Sequence, residues 1–336
     1  MINILKHIKR KSEKENKNNI WLDGMMGLVV GDALGMPVQF VDRQELKNCP
    51  VETMEGYGTY DMPPGTWSDD SSMALATLSS IREKNAIDCD DIMERFMDWN
   101  LRGEYTPAGV AFDQGRTCME AIFNYARNKD YITCGKTGEY ANGNGALMRI
   151  MPVCLYAYNK VSKNEWADED AVESVHLVSS LTHNHMRSKM ACGIYYFMIK
   201  GILDNEGALL SRLQVGIDEA KRYYQADITN YVEFAHYGRL LDLDRFSQCN
   251  ENDIKSSGYV VDSLEAAVWS LIVTDGFEDA LLTAVNLGDD TDTVGAIAGG
   301  LAGLFYGYAK MPKDWLQTIV KREWLEESVR RMKSCG

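Results

Sequence analysis

The sequence predicts a predominantly α-helical protein, and three observations lead to this fold class. Apolar residues recur with the spacing of a helix face, most clearly at Leu264, Ala267, Val268, Leu271 and Ile272, which occupy positions i, i+3, i+4, i+7 and i+8. The chain shows no sustained alternation of apolar and polar residues, the pattern that is typical of half-buried strands. Only seven prolines occur in 336 residues, so long stretches contain no helix breaker.

Two further segments show the same helical periodicity. The first comprises Ile92, Met93, Phe96 and Met97, and the second comprises Met119, Ile122, Phe123 and Ala126. We expect each set to form the buried face of a helix. Three large aromatic residues, Trp67, Trp99 and Trp269, are expected in the core.

One helical domain is predicted from residue 20 to residue 330. No Pro/Ser-rich tract, long block of like charges or internal repeat divides this stretch. Residues 1–19 contain the only basic run of the chain and are predicted to form a flexible arm.

Composition and charge exclude several classes of function. The chain has a formal net charge of −14, which repels phosphate backbones and anionic membrane surfaces and disfavours general nucleic-acid binding. No apolar run is long enough for a transmembrane helix, and the N-terminus has no signal-peptide pattern, so we expect a cytoplasmic protein without membrane binding. The eight cysteines form no C-x-x-C pair, which argues against a disulfide framework and a thiolate zinc site.

The first of two acidic clusters lies at a predicted helix start. Ser68, Asp69 and Asp70 precede a helical run that includes Met73. Two interpretations fit this pattern, because such side chains either cap the free N–H groups of the helix or bind a ligand. The residues alone favour capping.

The second cluster is denser than the first. Asp289, Asp290 and Asp292 fall within four positions and are followed by Thr293. Like charges at this density repel one another, so a polyvalent cation or protonation is expected to hold them together. Aspartate and hydroxyl oxygens suit hard cations such as Mg²⁺ or Mn²⁺ better than zinc. Convergence of both clusters would create a site for a pair of such ions.

The helix predicted after the second cluster contains Gly299 and Gly303. Glycine costs roughly 1 kcal/mol relative to alanine inside a helix, so a compensating contact is expected. We expect that another backbone approaches closely at these glycines. Such a contact places the start of this helix deep in the molecule.

Five ordered blocks of this sequence resemble the ADP-ribosylglycohydrolase family. The blocks are Gly31-Asp32-Ala33-Leu34-Gly35 with Pro37-Val38-Gln39-Phe40, Trp67-Ser68-Asp69-Asp70-Ser71, Asp113-Gln114-Gly115-Arg116-Thr117, Asn142-Gly143-Asn144-Gly145-Ala146-Leu147-Met148-Arg149, and Asp290-Thr291-Asp292-Thr293. They extend from Gly24 to about Tyr308, and the ordered set is more specific than any single block. The resemblance implies an all-α, single-domain orthogonal helix bundle that uses two divalent cations, Mg²⁺ or Mn²⁺. It also implies a hydrolase that releases ADP-ribose from an ADP-ribosylated protein or a related conjugate.

The resemblance assigns metal ligation by position. The implied ligands are Ser68, Asp69, Asp70, Asp290, Asp292 and Thr293. Asp32 and Asp289 are expected to lie outside this set and to orient it, and Asp289 stands where many members have glycine.

The resemblance also implies two catalytic positions. Asp113 matches an aspartate of an Asp-x-Gly-x-Thr block and is the expected base for the water that attacks the anomeric carbon. The residues alone favour a helix cap at Asp113 instead. Gln39 occupies a position where many members have glutamate, and an amide cannot act as a carboxylate base. This departure motivates an alternative function, a catalytically weakened module that binds ADP-ribose or an ADP-ribosylated partner.

The substrate-binding residues implied by the resemblance are Asn142, Gly143, Asn144, Gly145 and His183. The glycines allow several N–H groups to face a diphosphate, although a plain turn is equally compatible with the residues alone. His183 and His185 form a His-x-His pair without further His or Cys nearby, which favours a hydrogen-bonding or stacking role over metal binding. The acceptor group, whether arginine, serine, a base or a small molecule, stays open.

Two other classes of protein match the second cluster poorly. Asp290-x-Asp292-x-Val294 superficially fits the nucleophile motif of haloacid dehalogenase phosphatases, but that motif requires a preceding buried strand. An EF-hand requires a glutamate and a ligand spacing that this segment lacks.

Overall fold

Helices account for the regular structure of residues 19–332, which are the part of the chain that this computed structural model describes. Within that range only two isolated bridges, Lys136 with His183 and Gly143 with Tyr259, pair backbones in the manner of strands. The prediction of an all-α protein is confirmed. The arm predicted for residues 1–19 lies outside the described residues except for Asn19, which is buried.

The α-helices are numbered here in chain order. They are α1 (Ile20–Gly35), α2 (Arg43–Asn48), α3 (Asp69–Lys84), α4 (Cys89–Arg102), α5 (Arg116–Asn128), α6 (Met151–Ser162), α7 (Asp168–Ser180), α8 (Met186–Asp204), α9 (Leu209–Gln225), α10 (Tyr231–Phe234), α11 (Leu243–Ser247), α12 (Val260–Ile272), α13 (Phe277–Val285), α14 (Thr291–Tyr306), α15 (Lys313–Thr318) and α16 (Arg322–Arg330). Among the described helices, none combines the length and the apolar character that a membrane span requires.

The centre of the fold is the packing of α1 against α14. A Cβ atom at Gly27 would lie 2.1 Å from the carbonyl oxygen of Gly299, and one at Gly31 would lie 1.9 Å from that of Gly295. A Cβ atom at Gly303 would likewise lie 2.1 Å from a carbonyl oxygen of α1. The two backbones therefore touch, and only glycine fits between them. The close approach predicted at Gly299 and Gly303 is confirmed.

This contact fixes the start of α14 against the end of α1. The Thr291 hydroxyl donates a hydrogen bond to the carbonyl oxygen of Gly35 at 2.8 Å. A Cβ atom at Gly35 would lie only 2.4 Å from the carbonyl oxygen of Thr291. Asp32, one turn earlier on α1, consequently lies beside Asp292 in the first turn of α14.

A single carboxylate fixes the start of α3 to the same pair of helices. The fully buried Asp32 side chain accepts hydrogen bonds from the backbone N–H groups of Ser68 and Ser71 at 2.9 and 3.0 Å. It also accepts one from the Ser71 hydroxyl at 2.5 Å. These bonds satisfy N–H groups that a helix start leaves without an intrahelical partner. Three helix segments thus meet around Asp32.

The predicted buried faces are correct in α4 and α12 except for the half-buried Met97 and Ile272, and partly wrong in α5. Phe123 is 57% exposed and Ala126 is exposed, although both were predicted to be buried. The buried face of α5 consists of Cys118, Ala121, Ile122 and Tyr125. The two faces overlap at Ile122, and the hydroxyl of the buried Tyr125 donates a hydrogen bond to the Asp90 carboxylate of α4 at 3.0 Å. Three tryptophans, Trp67, Trp99 and Trp269, lie in the core as predicted.

Candidate active site

The start of α3 contributes the first acidic cluster. Ser68 caps the helix, because its Oγ accepts a hydrogen bond from the Asp70 backbone N–H at 3.3 Å. Asp69 and Asp70 are only 5% and 1% exposed, whereas capping carboxylates ordinarily face water. The Oδ1 atom of Asp70 is buried without a hydrogen-bond partner. Capping therefore accounts for Ser68 and leaves the burial of the two aspartates unexplained.

The start of α14 contributes the second cluster. The Oδ1 atom of Asp292 accepts a hydrogen bond from the Thr293 N–H at 2.9 Å, whereas Oδ2 is buried without a partner. Asp290 immediately precedes the helix and accepts a hydrogen bond from the Asn144 side-chain amide at 2.6 Å. Asp290, Asp292 and Thr293 are buried, whereas Asp289 of the same cluster is exposed.

The two clusters meet at the junction of α1, α3 and α14. One carboxylate oxygen from each of Asp32, Asp70 and Asp292 lies within 4.8 Å of the other two. The Thr293 hydroxyl lies 3.5 Å from Oδ2 of Asp70 and links the first turns of the two helices. These converging carboxylates, two of which have a buried oxygen without a partner, form a donor set that suits a hard divalent cation.

Burial is the main cause of raised pKa values in this acidic centre. It raises the pKa of Asp32 to about 6, against the opposing effect of the hydrogen bonds from Ser68 and Ser71. Burial also raises the pKa values of Asp70 and Asp292 well above their usual range, and the neighbouring carboxylates add to both shifts. A cation bound here offsets the repulsion and stabilises the charged form of each carboxylate.

A cavity of about 390 Å³ lies beside the acidic centre. Asp69, Asp290 and Thr293 form one part of its wall, and Gln39 and Asp113 form another. The cavity thus brings together side chains from the two clusters and from both predicted catalytic positions.

Asp113 lies on the loop before α5 with a left-handed backbone, at φ 53°. Its Oδ1 atom accepts a hydrogen bond from the Tyr60 hydroxyl at 2.6 Å. The interpretation of Asp113 as a helix cap is wrong, because α5 begins at Arg116 without a side-chain cap. The Asp113 charge also contributes to the raised pKa of Asp69, after burial.

Tyr60 is a further residue of the site that the sequence does not predict. Burial and the Asp113 carboxylate raise the pKa of the Tyr60 phenol, so the hydroxyl keeps its proton and remains a donor. Tyr60 belongs to a loop far from Asp113 in the chain, and no motif of the sequence marks it. Only the tertiary structure reveals the pair.

Gln39 is buried at the wall of the cavity. Its side-chain N–H donates a weak hydrogen bond to Oδ1 of Asp290 at 3.4 Å, and its Oε1 atom has no partner. A glutamate at this position would bring another negative charge close to Asp290. The amide replaces that charge with a neutral donor.

The segment from Asn142 to Gly145 is held by backbone hydrogen bonds to the residues before α12. The Asn144 N–H donates to the Gly258 carbonyl at 3.1 Å, and the Val260 N–H donates to the Asn142 carbonyl at 3.0 Å. Gly143, Asn144 and Gly145 line the cavity. The segment is therefore more than a plain surface turn, since it is anchored on one side and faces the cavity on the other.

The two histidines of the His-x-His pair do not converge. His183 lines the cavity, whereas the Nε2 atom of His185 lies 3.6 Å from the Glu139 carboxylate. Glu139, His185 and Glu233 form a second group of possible metal ligands. Arg187 already pairs with both glutamates of this group, at 2.7 and 2.9 Å, and supplies the positive charge itself.

Asp289 lies outside the acidic centre. It is exposed and lines a separate cavity of about 570 Å³. Its carbonyl oxygen accepts a hydrogen bond from the Phe40 N–H at 2.6 Å, and its own N–H donates to the Val41 carbonyl at 2.9 Å. The φ angle of 64° is one that favours glycine, the residue that the resemblance leads us to expect at this position.

The chain is similar to known proteins over most of its length. Residues 14–335 match the model of the ADP-ribosylglycohydrolase family. The chain is 31% identical to an ADP-ribosylarginine hydrolase, Tri1, of Serratia proteamaculans, over 89% of this chain and 75% of that protein. It is also 31% identical to the ADP-ribosyl-[dinitrogen reductase] glycohydrolase of Rhodospirillum rubrum, over 92% of each chain. A solved ADP-ribosylglycohydrolase-related protein complex superposes with a TM-score of 0.76 at 27% identity and covers 96% of this chain and 99% of its own.

Proposed function

The chain belongs to the ADP-ribosylglycohydrolase family, and from this premise we propose a metal-dependent hydrolase that cleaves the glycosidic bond between ADP-ribose and an acceptor. The observation that carries the proposal is the meeting of Asp70 and Asp292 beside the cavity that contains Asp113. Buried carboxylate oxygens without a partner, next to a cavity lined by a further carboxylate, suit a cation-assisted hydrolysis.

The proposed ligands of two divalent cations, Mg²⁺ or Mn²⁺, are the oxygen-bearing residues of the two clusters. They are Ser68, Asp69, Asp70, Asp290, Asp292 and Thr293. Bound cations of this kind lower the pKa of water and hold substrate oxygens. Asp32 is proposed to orient these ligands without binding a cation itself. Hydrogen bonds from Ser68 and Ser71 occupy both of its carboxylate oxygens and fix the start of α3.

Asp113 is the proposed general base. Tyr60 occupies one of its carboxylate oxygens, and the other accepts a proton from the attacking water. The water oxygen then bonds to the anomeric carbon of ADP-ribose while the bond from that carbon to the acceptor breaks. The acceptor leaves with its bonding electron pair and takes up a proton.

The ADP-ribose moiety is proposed to bind against Asn142, Gly143, Asn144, Gly145 and His183, of which all but Asn142 line the cavity. Small side chains at Gly143 and Gly145 let a diphosphate approach the backbone closely. The acceptor is proposed to be a protein arginine, because the similar proteins named above act on ADP-ribosylarginine and on ADP-ribosyl-dinitrogen reductase.

Gln39 supports a second candidate function, a catalytically weakened module that binds ADP-ribose or an ADP-ribosylated partner without releasing ADP-ribose. The Gln39 amide donates to Asp290 instead of adding a carboxylate to the wall of the cavity. The retained acidic centre favours the hydrolase, because a binding site for a diphosphate gains nothing from a cluster of buried carboxylates.

The test is release of ADP-ribose from an ADP-ribosylarginine peptide by the full chain. We expect release with Mn²⁺ or Mg²⁺ and loss of release when EDTA is added. The matched Gln39→Glu variant separates the two candidates. A wild-type protein that binds ADP-ribose but releases none with either metal, while Gln39→Glu releases it, is the weakened module and contradicts the hydrolase.

A further inference from the structure

His183 lines the cavity, and only one of its ring nitrogens has a hydrogen-bond partner among the described residues. Its Nδ1 atom lies 2.7 Å from the Thr182 hydroxyl oxygen. Its Nε2 atom faces the anchored segment, 3.3 Å from the position of a Cβ atom at Gly143, and no residue in the described part of the chain hydrogen-bonds to it. Whether Nε2 donates or accepts a hydrogen bond depends on which nitrogen carries the proton.

The buried Arg149 side chain restricts which nitrogen of His183 can carry the proton. One of its amino groups, Nη2, donates a hydrogen bond to the Thr182 hydroxyl oxygen at 2.9 Å, and the other, Nη1, donates to the Gly145 carbonyl. A guanidinium group donates hydrogen bonds and never accepts them. The Thr182 oxygen is therefore an acceptor toward Arg149, and the Thr182 proton is available to another neighbour.

Two neighbours compete for this proton, His183 Nδ1 and the Cys118 thiol. The sulfur of Cys118, which is in hydrogen-bond contact with Thr182, is a weak acceptor, and it donates its own proton to the Gly145 carbonyl oxygen at an S···O distance of 4.0 Å. An unprotonated imidazole nitrogen is a much stronger acceptor. The contact with Arg149 polarises the Thr182 hydroxyl, which strengthens its hydrogen bond to Nδ1.

We propose that Arg149 and Thr182 hold His183 as the neutral tautomer with its proton on Nε2, which makes His183 a permanent hydrogen-bond donor to an oxygen of the nucleotide ligand. Thr182 is a positioning residue, because it acts through His183 and does not line the cavity. The identity of that ligand as ADP-ribose rests on the proposed function, and its diphosphate oxygens are its strongest acceptors.

The electrostatic surroundings agree with a neutral ring. Burial and the nearby Arg149 charge lower the pKa of His183 to about 3, which opposes protonation of both ring nitrogens. His183 therefore differs from a catalytic acid or base, since its role is to donate one hydrogen bond without changing its charge.

The direct test is ¹⁵N NMR of the histidine rings in the full chain without ligand. The chain has five histidines, and a His183→Gln variant identifies the His183 signals by their loss. We expect a protonated Nε2 and an unprotonated Nδ1. A protonated Nδ1 with a bare Nε2, or a mixture of the two tautomers, overturns the proposal. This measurement is independent of the reaction that the protein catalyses.

A matched pair of variants tests the consequence for binding. Thr182→Val removes the hydroxyl, whereas Thr182→Ser keeps it. By calorimetry we expect ADP-ribose to bind about tenfold more weakly to Thr182→Val and within about twofold of wild type to Thr182→Ser. We also expect Thr182→Val to raise KM with little change in kcat, because His183 binds the nucleotide and not the reacting bond.

The remaining outcomes separate the inference from the proposed function. Unchanged binding by a folded Thr182→Val variant contradicts the role of Thr182. If that variant does not fold, the ¹⁵N signals of His183 in the wild-type protein still show which ring nitrogen carries the proton and so test the proposal. A wild-type protein with the expected tautomer that binds no ADP-ribose contradicts the proposed function and leaves the tautomer assignment supported.

Discussion

Two regions position the residues of the site in different ways. One is the helix pair α1 and α14, and the other is the set of loops around the cavity. Between the helices, the backbones touch at Gly31 and Gly295 and leave no room for a side chain. In the loops, Asp113 is half-buried with a left-handed backbone and is held through one hydrogen bond from Tyr60. The helix pair fixes positions by excluded volume, whereas the loops fix them by individual polar contacts.

The two regions also differ in charge. The helix starts collect buried carboxylates, and the donors that reach Asp32, Asp70, Asp290 and Asp292 are all neutral serine, threonine, asparagine, glutamine or backbone groups. The loops contribute only one carboxylate, Asp113, together with neutral donors. Because the helix pair is held by excluded volume, a larger side chain there should reduce the stability of the protein most. Because the loops are held by single polar contacts, loss of one polar group there should reduce activity and leave stability nearly unchanged.

The largest effect is expected from Gly31→Val. A Cβ atom at Gly31 would lie 1.9 Å from a backbone carbonyl oxygen of α14, which cannot move without separating the two helices. We expect a loss of at least about 3 kcal/mol in the free energy of unfolding, measured by chemical denaturation. Gly238→Ala is the control, because a Cβ atom there meets nothing within 4 Å. Equal stability of the two variants would contradict backbone contact between α1 and α14.

Asp113→Asn is expected to reduce kcat by about a thousandfold, since loss of a general base typically costs a hundredfold to ten-thousandfold in rate. Stability should stay near the wild-type value, because Asp113 lies in the loops and outside the group of converging oxygens. Mn²⁺ affinity should fall only modestly, because the Asp113 charge acts on the neighbouring carboxylates without belonging to that group. The measurements are steady-state hydrolysis and calorimetric titration with Mn²⁺. A variant that keeps more than a tenth of wild-type kcat argues that another group takes the proton.

Removal of divalent cations should make stability depend on pH in a defined direction. A carboxyl group with a raised pKa binds its proton more tightly in the folded than in the unfolded protein, so this contribution to stability is lost as pH rises through the folded-state pKa. For Asp32 the window runs from 3.8 to about 6, and the raised pKa values of Asp70 and Asp292 extend it upward. In EDTA we expect Tm to fall by several degrees between about pH 5 and about pH 8. A Tm that stays constant or rises over this range would contradict the account.

The smallest effect is expected from Tyr60→Phe. This variant removes the hydrogen bond at 2.6 Å to Asp113 and keeps the aromatic ring, which packs against Phe112. We expect kcat to fall by about tenfold, the equivalent of about 1.4 kcal/mol, with Tm nearly unchanged. A fall in Tm as large as that of Gly31→Val would show that the loop contact contributes as much to stability as the helix pair does, which contradicts the difference between the two regions.

The sequence predicted the helix pair better than the loops, and the reason is physical. Gly299 and Gly303 violate helix propensity, and this local cost predicted a backbone contact that the structure confirms. The density of carboxylates in the second cluster predicted repulsion between like charges. The structure shows carboxylates of Asp70 and Asp292 lying close enough to repel each other. Both signals are local in sequence.

The contacts of the loops have no such local signal. Tyr60 meets Asp113, and Arg149 meets Thr182, through tertiary contacts between segments that carry no shared pattern. The exposed Phe123 illustrates the same limit, because two overlapping helix faces were compatible with the sequence and the partner helix α4 decided between them. The family resemblance identified candidate reacting residues but not the neighbours that hold them.

The central claim is that acidic residues from α3 and α14 hold divalent cations jointly. The most direct measurement is the rise in Tm on titration with Mn²⁺ for the wild-type chain, Asp70→Asn and Asp292→Asn, each starting from EDTA-treated protein. We expect a clear rise for the wild type and a rise that is strongly reduced in both variants, although each removes a carboxylate from a different helix. A wild-type Tm that ignores Mn²⁺, or a variant that responds as the wild type does, would contradict the claim.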